Sequence, residues 1–474
     1  MIVRSLILIF FFLKAETNLV EAQKFMVSDE INMKNDFAYY VVPVDENLIL
    51  VRDKAIKVIF QKLGAEPNWT IEKDLALEGK KWNILDVYTH YQGFGVLYTC
   101  RHDKTYKCVY SLFDAAGNLK LHRVLADSIN PVNAENINIQ SSDNKNFVSI
   151  GYRDQSNAPL IFLYQRFEDS IYYRIRANDF FKVEHGPADE ALLSNFGEFF
   201  LRYDVDNLGK SKIKFISHIS GLSSGGTKIL DSNIEIEDEV FSSKMCMRQE
   251  GRDLIVAGLY KKPSEQKIEG YFVQNLSKNE KAILCRFDEG KVQEWTGKKN
   301  KTSLSSYDLQ LRDVRFMEDG SCLLFIENVK QYVRRPYFGS GMDNGGAFAA
   351  SRWVDYYFDD IIVSCVGSNG AKKWETILRK KQFSQDDDGI NSSFFIVNNR
   401  SFLRIIFNDE IKNESTVSEY ILLSNGQSHR KSLLNTSNNK LSLRIRDAIQ
   451  LNSSSIVIPN EDNGKLSLVR LFLN

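Results

Sequence analysis

Residues 366–374 are Val-Gly-Ser-Asn-Gly-Ala-Lys-Lys-Trp, a turn that follows an apolar run and precedes a tryptophan. An Asn or Asp followed by Gly supplies the positive-φ residues that a tight hairpin requires. Related turns occur elsewhere in the chain, and they are Phe60-Gln-Lys-Leu-Gly64 with Trp69, Phe113-Asp-Ala-Ala-Gly117, Phe287-Asp-Glu-Gly290 with Trp295, and Leu422-Leu-Ser-Asn-Gly426. A tryptophan at this place would cover the gap between neighbouring units. The recurrence predicts a chain built from repeated hairpin units.

The segments around these turns are short runs rich in Val, Ile, Phe, Tyr and Leu, separated by Asn, Asp, Gly and Ser, as in Asp253-Leu-Ile-Val-Ala-Gly-Leu-Tyr260. Helical spacing of apolar residues is almost absent, so the fold class is all-β. The repeated unit is expected to start near Phe37, Ile84, Ile137, Ala191, Phe241, Val314, Phe394 and Ala448. This period fits a β-propeller with four-stranded blades of ~40–50 residues.

The last unit has three strands before Asn474, and the extended segment Lys24-Phe-Met-Val-Ser28 is placed to supply the missing one. Closing a ring in this way removes exposed strand edges. We therefore expect eight blades, with seven as the alternative, closed by the N- and C-terminal strands.

The chain of 474 residues carries 61 Lys and Arg against 61 Asp and Glu. This balance argues against nucleic acid as a partner, because that binding relies on a basic excess. With 43% hydrophobic and 12% aromatic residues, wholesale disorder is also excluded.

The first residues have the pattern of a signal peptide, with Arg4 before the apolar run Leu6-Ile-Leu-Ile-Phe-Phe-Phe-Leu13 and a small residue, Ala22, before the expected cleavage site. The alternatives are a buried strand or a retained anchor. No later stretch has transmembrane length without charges. We expect a signal peptide over 1–22, a single propeller over 23–474, and a location in the periplasm, at the cell surface or outside the cell.

Cysteines and histidines give little support for a metal site or a cofactor, and none is predicted. Cys100 and Cys108 bracket a hairpin that turns near Lys104, which would place them opposite each other, so in an oxidising compartment the alternatives are a disulfide and two free thiols. The other four cysteines stand singly in apolar runs. The histidines lack zinc-binding spacing.

Residues 331–358 form an insertion in the unit that starts near Val314, between the expected hairpin arms 322–327 and 360–364. Long loops in a compact fold are often functional, and arginines and aromatic residues anchor ligands. The candidate binding residues are Arg334, Arg335, Tyr337, Phe338, Trp353 and Tyr356. The alternative is a flexible flap with two exposed arginines.

Three further motifs are interpreted as turns. Asp386-Asp-Asp-Gly389 lacks the alternate spacing of calcium ligands, and Asp204-Val-Asp-Asn-Leu-Gly209 has Leu208 where an oxygen is needed. Gly221-Leu-Ser-Ser-Gly225 matches the hydrolase elbow G-x-S-x-G, but it lacks the strand-to-helix context on which that motif depends.

The segment that runs from Tyr356-Tyr-Phe-Asp-Asp-Ile-Ile-Val-Ser364 through Gly370-Ala-Lys-Lys-Trp-Glu375 and Asp386-Asp-Asp-Gly389 to Phe407-Asn-Asp409 resembles exported, uncharacterised β-propeller-like proteins of Gram-negative bacteria. The specific likeness covers residues 350–410. It implies a propeller in the bacterial envelope or outside the cell, and it brings no catalytic residues.

Three functions remain open. The leading hypothesis is a non-enzymatic binding or scaffolding propeller that engages a protein or glycan through one end of the ring and the 331–358 insertion. The second is a hydrolase or lyase whose residues converge from several blades. The third is a structural component of an envelope complex, which would carry an exposed apolar patch.

Overall fold

The computed structural model describes residues 24–133, 137–181, 189–205, 215–248, 252–262, 265–278, 280–296, 304–305, 308–334, 353–399, 401–411 and 414–473. The strands form eight antiparallel sheets, each with a path of four strands, arranged as the blades of one β-propeller. The expected signal peptide lies outside the described residues. In the described ranges, no helix combines the length and the apolar character needed to cross a bilayer.

The chain begins with two short strands, β1 (Phe25–Val27) and β2 (Ile31–Asn32), which belong to the last blade. Blades 1 and 2 are β3 (Ala38–Val44), β4 (Asn47–Asp53), β5 (Val58–Leu63), β6 (Lys73–Asp74), and β7 (Lys80–His90), β8 (Gly93–His102), β9 (Thr105–Phe113), β10 (Leu119–Ile129). Blades 3 and 4 are β11 (Asn138–Ser141), β12 (Phe147–Arg153), β13 (Pro159–Gln165), β14 (Ser170–Arg176), and β15 (Glu190–Leu193), β16 (Phe199–Val205), β17 (Phe215–Leu222), β18 (Lys228–Ile236).

The second half of the ring carries additional short elements between its blades. Blade 5 is β19 (Glu239–Arg248), β20 (Asp253–Lys261), β21 (Lys267–Asn275) and β22 (Ile283–Arg286), followed by helix α1 (Glu289–Thr296) and β23 (Leu304–Ser305). Blade 6 is β24 (Leu309–Phe316), β25 (Cys322–Arg334), β26 (Trp353–Val366) and β27 (Lys372–Leu378), with the added strand β28 (Gln382–Gln385). Blade 7 is β29 (Phe395–Asn398), β30 (Phe402–Ile411), β31 (Glu414–Leu423) and β32 (Ser428–Asn435), followed by α2 (Thr436–Asn439). Blade 8 is β33 (Ile449–Asn452), β34 (Ser455–Asp462), β35 (Lys465–Phe472) and the N-terminal β1.

The predicted closure of the ring is confirmed. Strand β1 pairs antiparallel with β35, Phe25 facing Leu471 and Val27 facing Val469. The predicted starting points of the units also agree with the innermost strands, and the largest difference is at blade 6, where β24 begins at Leu309 and not near Val314. The eight-bladed count is therefore correct.

The recurrent glycine turn joins the third and fourth strands of blades 2, 6 and 7, where it lets neighbouring blades approach closely. Gly370 and Gly426 have φ of 79° and 85°. A Cβ at Gly370 would lie 1.8 Å from Cδ1 of Ile283 in blade 5, and one at Gly426 would lie 2.6 Å from Trp374 in blade 6. Trp374 packs in the cluster shared by blades 6 and 7, so the expected covering of the gap is confirmed there.

One predicted turn is wrong. The segment Phe287-Asp-Glu-Gly290 follows the fourth strand of blade 5, where Glu289–Thr296 form α1. Asp288 starts this helix, since its Oδ1 accepts a hydrogen bond from the Lys291 N–H at 3.0 Å and its carbonyl accepts one from Val292 N at 3.0 Å. An Asp followed by Gly therefore caps a helix here and does not close a hairpin.

The strand directions define two faces of the ring. We call the face at which the innermost strands begin the upper face, and it also carries the loops between the second and third strands of each blade. The lower face carries the turns between first and second strands and between third and fourth strands. The 331–358 insertion connects β25 to β26, so it lies on the upper face.

Candidate functional site

The insertion in blade 6 is largely an extension of its central hairpin. Strands β25 and β26 continue to Arg334 and from Trp353, well beyond the predicted arms 322–327 and 360–364. The expectation of a loop starting at Gln331 is thus wrong, because the ladder continues after a β-bulge between Glu327 and Val329. Residues 335–352 lie outside the described residues, and with them the predicted site residues Arg335, Tyr337 and Phe338.

A third strand supports this hairpin. Strand β28 pairs with the outer part of β26, with Asp355 facing Gln385 and Tyr357 facing Phe383. We call the three outer segments, 329–334, 353–358 and 382–385, the blade 6 extension.

One side of the blade 6 extension is aromatic. Residues that are directly paired across an antiparallel ladder point to the same side. The pairs Arg334 with Trp353, Tyr332 with Asp355, Lys330 with Tyr357 and Tyr357 with Phe383 therefore share a side. We call this side, with Tyr332, Trp353, Tyr357 and Phe383, the aromatic face.

Three rings of the aromatic face, Tyr332, Tyr357 and Phe383, lie close together, and the face is partly open to solvent. The ring centroids of Tyr332 and Tyr357 are 5.8 Å apart, and those of Tyr357 and Phe383 are 5.1 Å apart. Tyr332, Trp353 and Phe383 are 53%, 41% and 55% exposed. Contiguous exposed aromatic groups of this kind are typical of binding surfaces.

An ion pair lies within the aromatic face. The carboxylate of Asp355 is 1% exposed and binds Nε of Arg334, whose side chain is 60% exposed. A hydrogen bond to Tyr357 and the charge of Asp355 raise the pKa of the Arg334 guanidinium. The face therefore presents a fixed cation among aromatic rings.

The opposite side of the blade 6 extension is attached to the acidic turn at 386–389. The Tyr356 hydroxyl donates to Oδ1 of Asp388 at 2.8 Å, and Val354 N donates to Oδ1 of Asp386 at 2.7 Å. Asp387 accepts from Gly389 N at 2.9 Å. The three carboxylates thus accept hydrogen bonds from three different donors, which agrees with the interpretation of this motif as a turn.

The base of the extension is a buried charged network. The Lys380 ammonium contacts Glu327 at 2.8 Å and donates to the Phe358 carbonyl and to Gln382 Oε1, each at 2.8 Å. The Ser393 hydroxyl donates to the other carboxylate oxygen of Glu327 at 2.7 Å. Burial lowers the pKa of Lys380, which is nevertheless held by these acceptors. The network fixes the extension to the link between blades 6 and 7.

A groove of about 520 Å³ lies on the upper face between blades 8 and 1. Phe37 and Tyr39 line it beside Arg444, which binds Glu461 at 2.5 Å and Asp447 at 2.6 Å. Burial raises the pKa of Tyr39, whose hydroxyl donates to Glu461 at 3.4 Å.

The predicted site residues are only partly assembled. The structure brings Arg334 and Trp353 together on the aromatic face and places Tyr356 on the opposite side. Sequence reasoning missed Tyr332, Tyr357 and Phe383. The alternation of Trp353, Asp355 and Tyr357 is a strand signal that indicates a shared face, whereas nothing local places Phe383 or the groove residues.

Two described Ser and His pairs lie within blades 2 and 4. His122 contacts Ser111 Oγ at 3.3 Å and Glu78 at 2.7 Å, and His218 contacts Ser220 Oγ at 3.1 Å and Asp231 at 2.9 Å. Both serines are buried, at 0% and 1% exposure. In each case the serine lies three residues before the turn between the third and fourth strands, which starts at Asp114 in blade 2 and at Ser223 in blade 4. Ser364 has the same position before Gly367 in blade 6. These serines therefore belong to the repeat.

The other turn interpretations have different outcomes. Ser223 occupies a turn between β17 and β18, where its carbonyl accepts from Gly226 N at 3.0 Å, so the serine-glycine turn is confirmed. The segment 206–209 of the second acidic motif lies outside the described residues. Within the described ranges, no three His, Cys, Asp or Glu side chains are grouped as metal ligands would be.

The predicted disulfide is not formed. Both thiols are free, and the register pairs Cys100 with Lys107 and Cys108 with Thr99. Their side chains therefore point to opposite sides of blade 2, into the clusters shared with blade 1 and with blade 3 respectively. Burial raises the pKa of Cys100 to about 11 and that of Cys108 to about 12, which disfavours the reactive thiolate.

Comparisons with known proteins give distant structural similarities and no family. No family model and no curated protein matches the chain. Among solved structures, the chain is similar to the polysaccharide lyase Uly1, with 9% identity over 94% of this chain and 100% of that chain and a TM-score of 0.40. It is similar to the quinohemoprotein alcohol dehydrogenase from Comamonas testosteroni, with 8% identity over 95% and 76% and a TM-score of 0.42. It is also similar to the β-propeller domain of the Trilobed protease from Pyrococcus furiosus, with 6% identity over 84% and 98% and a TM-score of 0.37.

Proposed function

We propose that this protein is a non-catalytic binding or scaffolding β-propeller that engages a protein or glycan through the aromatic face of the blade 6 extension. The observation that carries the proposal is the row of partly exposed rings at Tyr332, Trp353 and Phe383, set on a strand ladder that continues beyond its expected arms. A monomeric surface rarely leaves such rings adjacent without a ligand.

The chemistry of the face suits a ligand that offers both flat apolar surface and polar groups. Aromatic rings contribute large contact areas at low conformational entropy and dominate binding hot spots together with arginine. The Arg334 guanidinium, positioned by Asp355, supplies directional donors on the same face as the rings. Sugar hydroxyls and carboxylates, or backbone carbonyls of a protein, are acceptors of the required kind.

The support beneath the aromatic face favours recognition without large movement. The buried pair of Lys380 and Glu327 fixes one end, and the hydrogen bonds from Tyr356 and Val354 to the acidic turn fix the rear side. A preorganised surface loses less conformational entropy on binding. The groove between blades 8 and 1 opens on the same upper face and offers a second recess with aromatic and charged groups.

The second part of the proposal is the location. The run 6–13 after Arg4 and the small residue Ala22 support export to the periplasm, the cell surface or the medium. N-terminal sequencing of the protein recovered from the envelope or medium tests this. A chain that begins at Gln23 supports it, and an intact Met1 in a cytoplasmic fraction contradicts it.

The binding experiment compares wild type with the double variant Trp353→Ala/Phe383→Ala on a glycan array and in pull-downs from envelope extracts. We expect the double variant to lose about 30-fold or more in affinity, because hot-spot rings contribute ~2 kcal/mol or more. The matched control is Tyr172→Ala in β14, an aromatic residue that is 42% exposed elsewhere on the ring. Equal binding by the double variant and the control overturns the assignment of the site.

A further inference from the structure

Four arginines of the described chain are almost completely buried, and one of them differs from the others. Arg52, Arg166, Arg202 and Arg404 are 1%, 2%, 4% and 5% exposed. Arg52 binds Asp36 and Glu72, Arg202 binds Glu190 and Asp204, and Arg404 binds Glu419. Among the described residues, no carboxylate pairs with Arg166, and its Nε, Nη1 and Nη2 atoms have no hydrogen-bond partner.

Arg166 lies on the lower face, in the turn between β13 and β14, and points into the interface of blades 2 and 3. Its guanidinium carbon is 3.7 Å from the centroid of the Tyr88 ring. The Tyr110 hydroxyl is a second buried group without a hydrogen-bond partner in the described residues. Burial raises the pKa of Tyr110 to about 12, so this hydroxyl keeps its proton and is available as a donor.

The surroundings give the guanidinium no direct acceptor among the described residues. The charge of Asp86 influences Arg166, but the Asp86 carboxylate accepts a hydrogen bond from Val87 N at 2.8 Å and forms no ion pair with Arg166 in the described part of the chain. Burial and the charge of Arg166 lower the pKa of His90, so the imidazole is neutral at neutral pH. A buried cation with unmade hydrogen bonds is strongly unfavourable unless an anion reaches it.

We propose that Arg166 binds a small monovalent anion taken up from solution, a halide or a short carboxylate, with the guanidinium N–H groups and the Tyr110 hydroxyl as donors. The site lies between blades 2 and 3 and is separate from the aromatic face of blade 6. Arginine and tyrosine hydroxyl donors without protein acceptors are the groups that such an anion requires.

A group of aromatic side chains lies next to Arg166 and reaches the surface. Next to Arg166 in the chain is Phe167, whose ring centroid is 5.1 Å from that of His90 and 5.7 Å from that of Tyr91. Tyr91 is 66% exposed and Phe167 37% exposed. The proposal requires that an anion enter beside these two rings.

Two measurements on the full chain test the proposal. Crystals soaked in bromide are expected to show an anomalous peak beside the Arg166 guanidinium. In thermal unfolding at constant ionic strength, with gluconate as the balancing anion, Tm is expected to rise by about 1.5 °C for each tenfold increase of bromide or formate above Kd. Comparing the bromide and formate series distinguishes a halide site from a carboxylate site.

The variant Arg166→Met is expected to lose this rise in Tm, and Arg153→Met, at the end of β12 in the same blade, is expected to keep it. Tyr110→Phe removes one donor and should weaken the apparent affinity several-fold, which provides a test even if Arg166→Met does not fold. Absence of the bromide peak together with an unchanged Tm in the formate series, or an unchanged anion dependence in both Arg166→Met and Tyr110→Phe, overturns the proposal.

Discussion

Trp353 lies directly opposite Arg334 at the outer end of the described blade 6 hairpin. The indole and the guanidinium share a side of the ladder with Asp355, which Arg334 binds. A ligand on this face would therefore meet an aromatic surface and a cation that is already oriented, and this arrangement leads to the first prediction.

Asp355→Asn is expected to weaken ligand binding by about tenfold while leaving the propeller folded. The neutral amide no longer holds the Arg334 guanidinium, so the donors lose their fixed position. Affinity measured beside Tm for wild type and variant checks this. A fall in Tm that accounts for the whole loss of binding would point to a merely structural role for Asp355.

Lys380→Met is expected to destabilise the protein by about 3–5 kcal/mol, because Glu327 would lose a partner in a fully buried position. The double variant Lys380→Met/Glu327→Leu should recover part of this loss, since the buried carboxylate is removed and Arg312, which binds Glu327 at 3.1 Å, is 27% exposed and can be solvated. Urea unfolding measures both. Equal destabilisation by the single and double variants would contradict the account of a coupled buried pair.

Ring closure through β1 gives the third prediction. The register places Met26 opposite Arg470. On either side of this pair, Ser28 N donates to the Leu468 carbonyl and Phe472 N donates to the Lys24 carbonyl. Since hydrogen-bonded pairs alternate along an antiparallel ladder, Met26 and Arg470 are also a hydrogen-bonded pair. Met26→Pro removes the backbone donor and should increase proteolysis and lower Tm by several degrees. Met26→Ala keeps the N–H and is the control. Similar behaviour of the two variants would argue against closure by this ladder.

The recurrent turn can be tested with two glycines. Gly370→Ala is expected to destabilise by about 1–3 kcal/mol, because alanine at φ 79° is strained and its Cβ would overlap Ile283. Gly225→Ala is the control. A Cβ at this position would lie 3.7 Å from its nearest neighbour, Ser223 Oγ, and the φ of Gly225 is not in the left-handed region. Comparable losses in Tm for both variants would refute the packing argument.

The Glu78 carboxylate provides a pH-dependent prediction. Hydrogen bonds from Lys107 and His122 lower its pKa below the ordinary 4.5. A carboxyl group whose pKa is lower in the folded state stabilises the protein above 4.5, and this contribution disappears as pH falls through the folded value. Glu78→Gln should therefore flatten the stability curve between pH 5 and pH 3, by less than about 1 kcal/mol because the pair is partly exposed. Glu66→Gln in blade 1 is the control, and an unchanged curve for Glu78→Gln would contradict the role of this pair.

Much of the fold followed from local patterns. The eight recurring starts of apolar units predicted eight blades, and the three-stranded last unit with the run containing Phe25 to Val27 predicted their closure, because hairpin turns and apolar strands are local signals. Helix α1 was missed because Asp288 and Gly290 suit a hairpin as well as a helix start.

The site was less predictable because it depends on pairing between distant segments. Phe383 joins the aromatic face only through the added strand β28, and Tyr39 meets Glu461 across 422 positions of sequence. The facing placement of Cys100 and Cys108 was predicted incorrectly. A shift of one residue in the register moves a side chain to the other side of a strand, and the actual register separates the two cysteines.

The most direct test of the account is site-specific photocrosslinking in cells that express the full chain. A diazirine amino acid would replace Gln385, an exposed residue that faces Asp355 on the aromatic face, in one variant and Tyr172 in the other, and adducts would be identified by mass spectrometry. We predict a discrete protein or glycan adduct from position 385 and none from position 172. The same adducts from both positions, or none from position 385 in the folded protein, would contradict binding through the aromatic face.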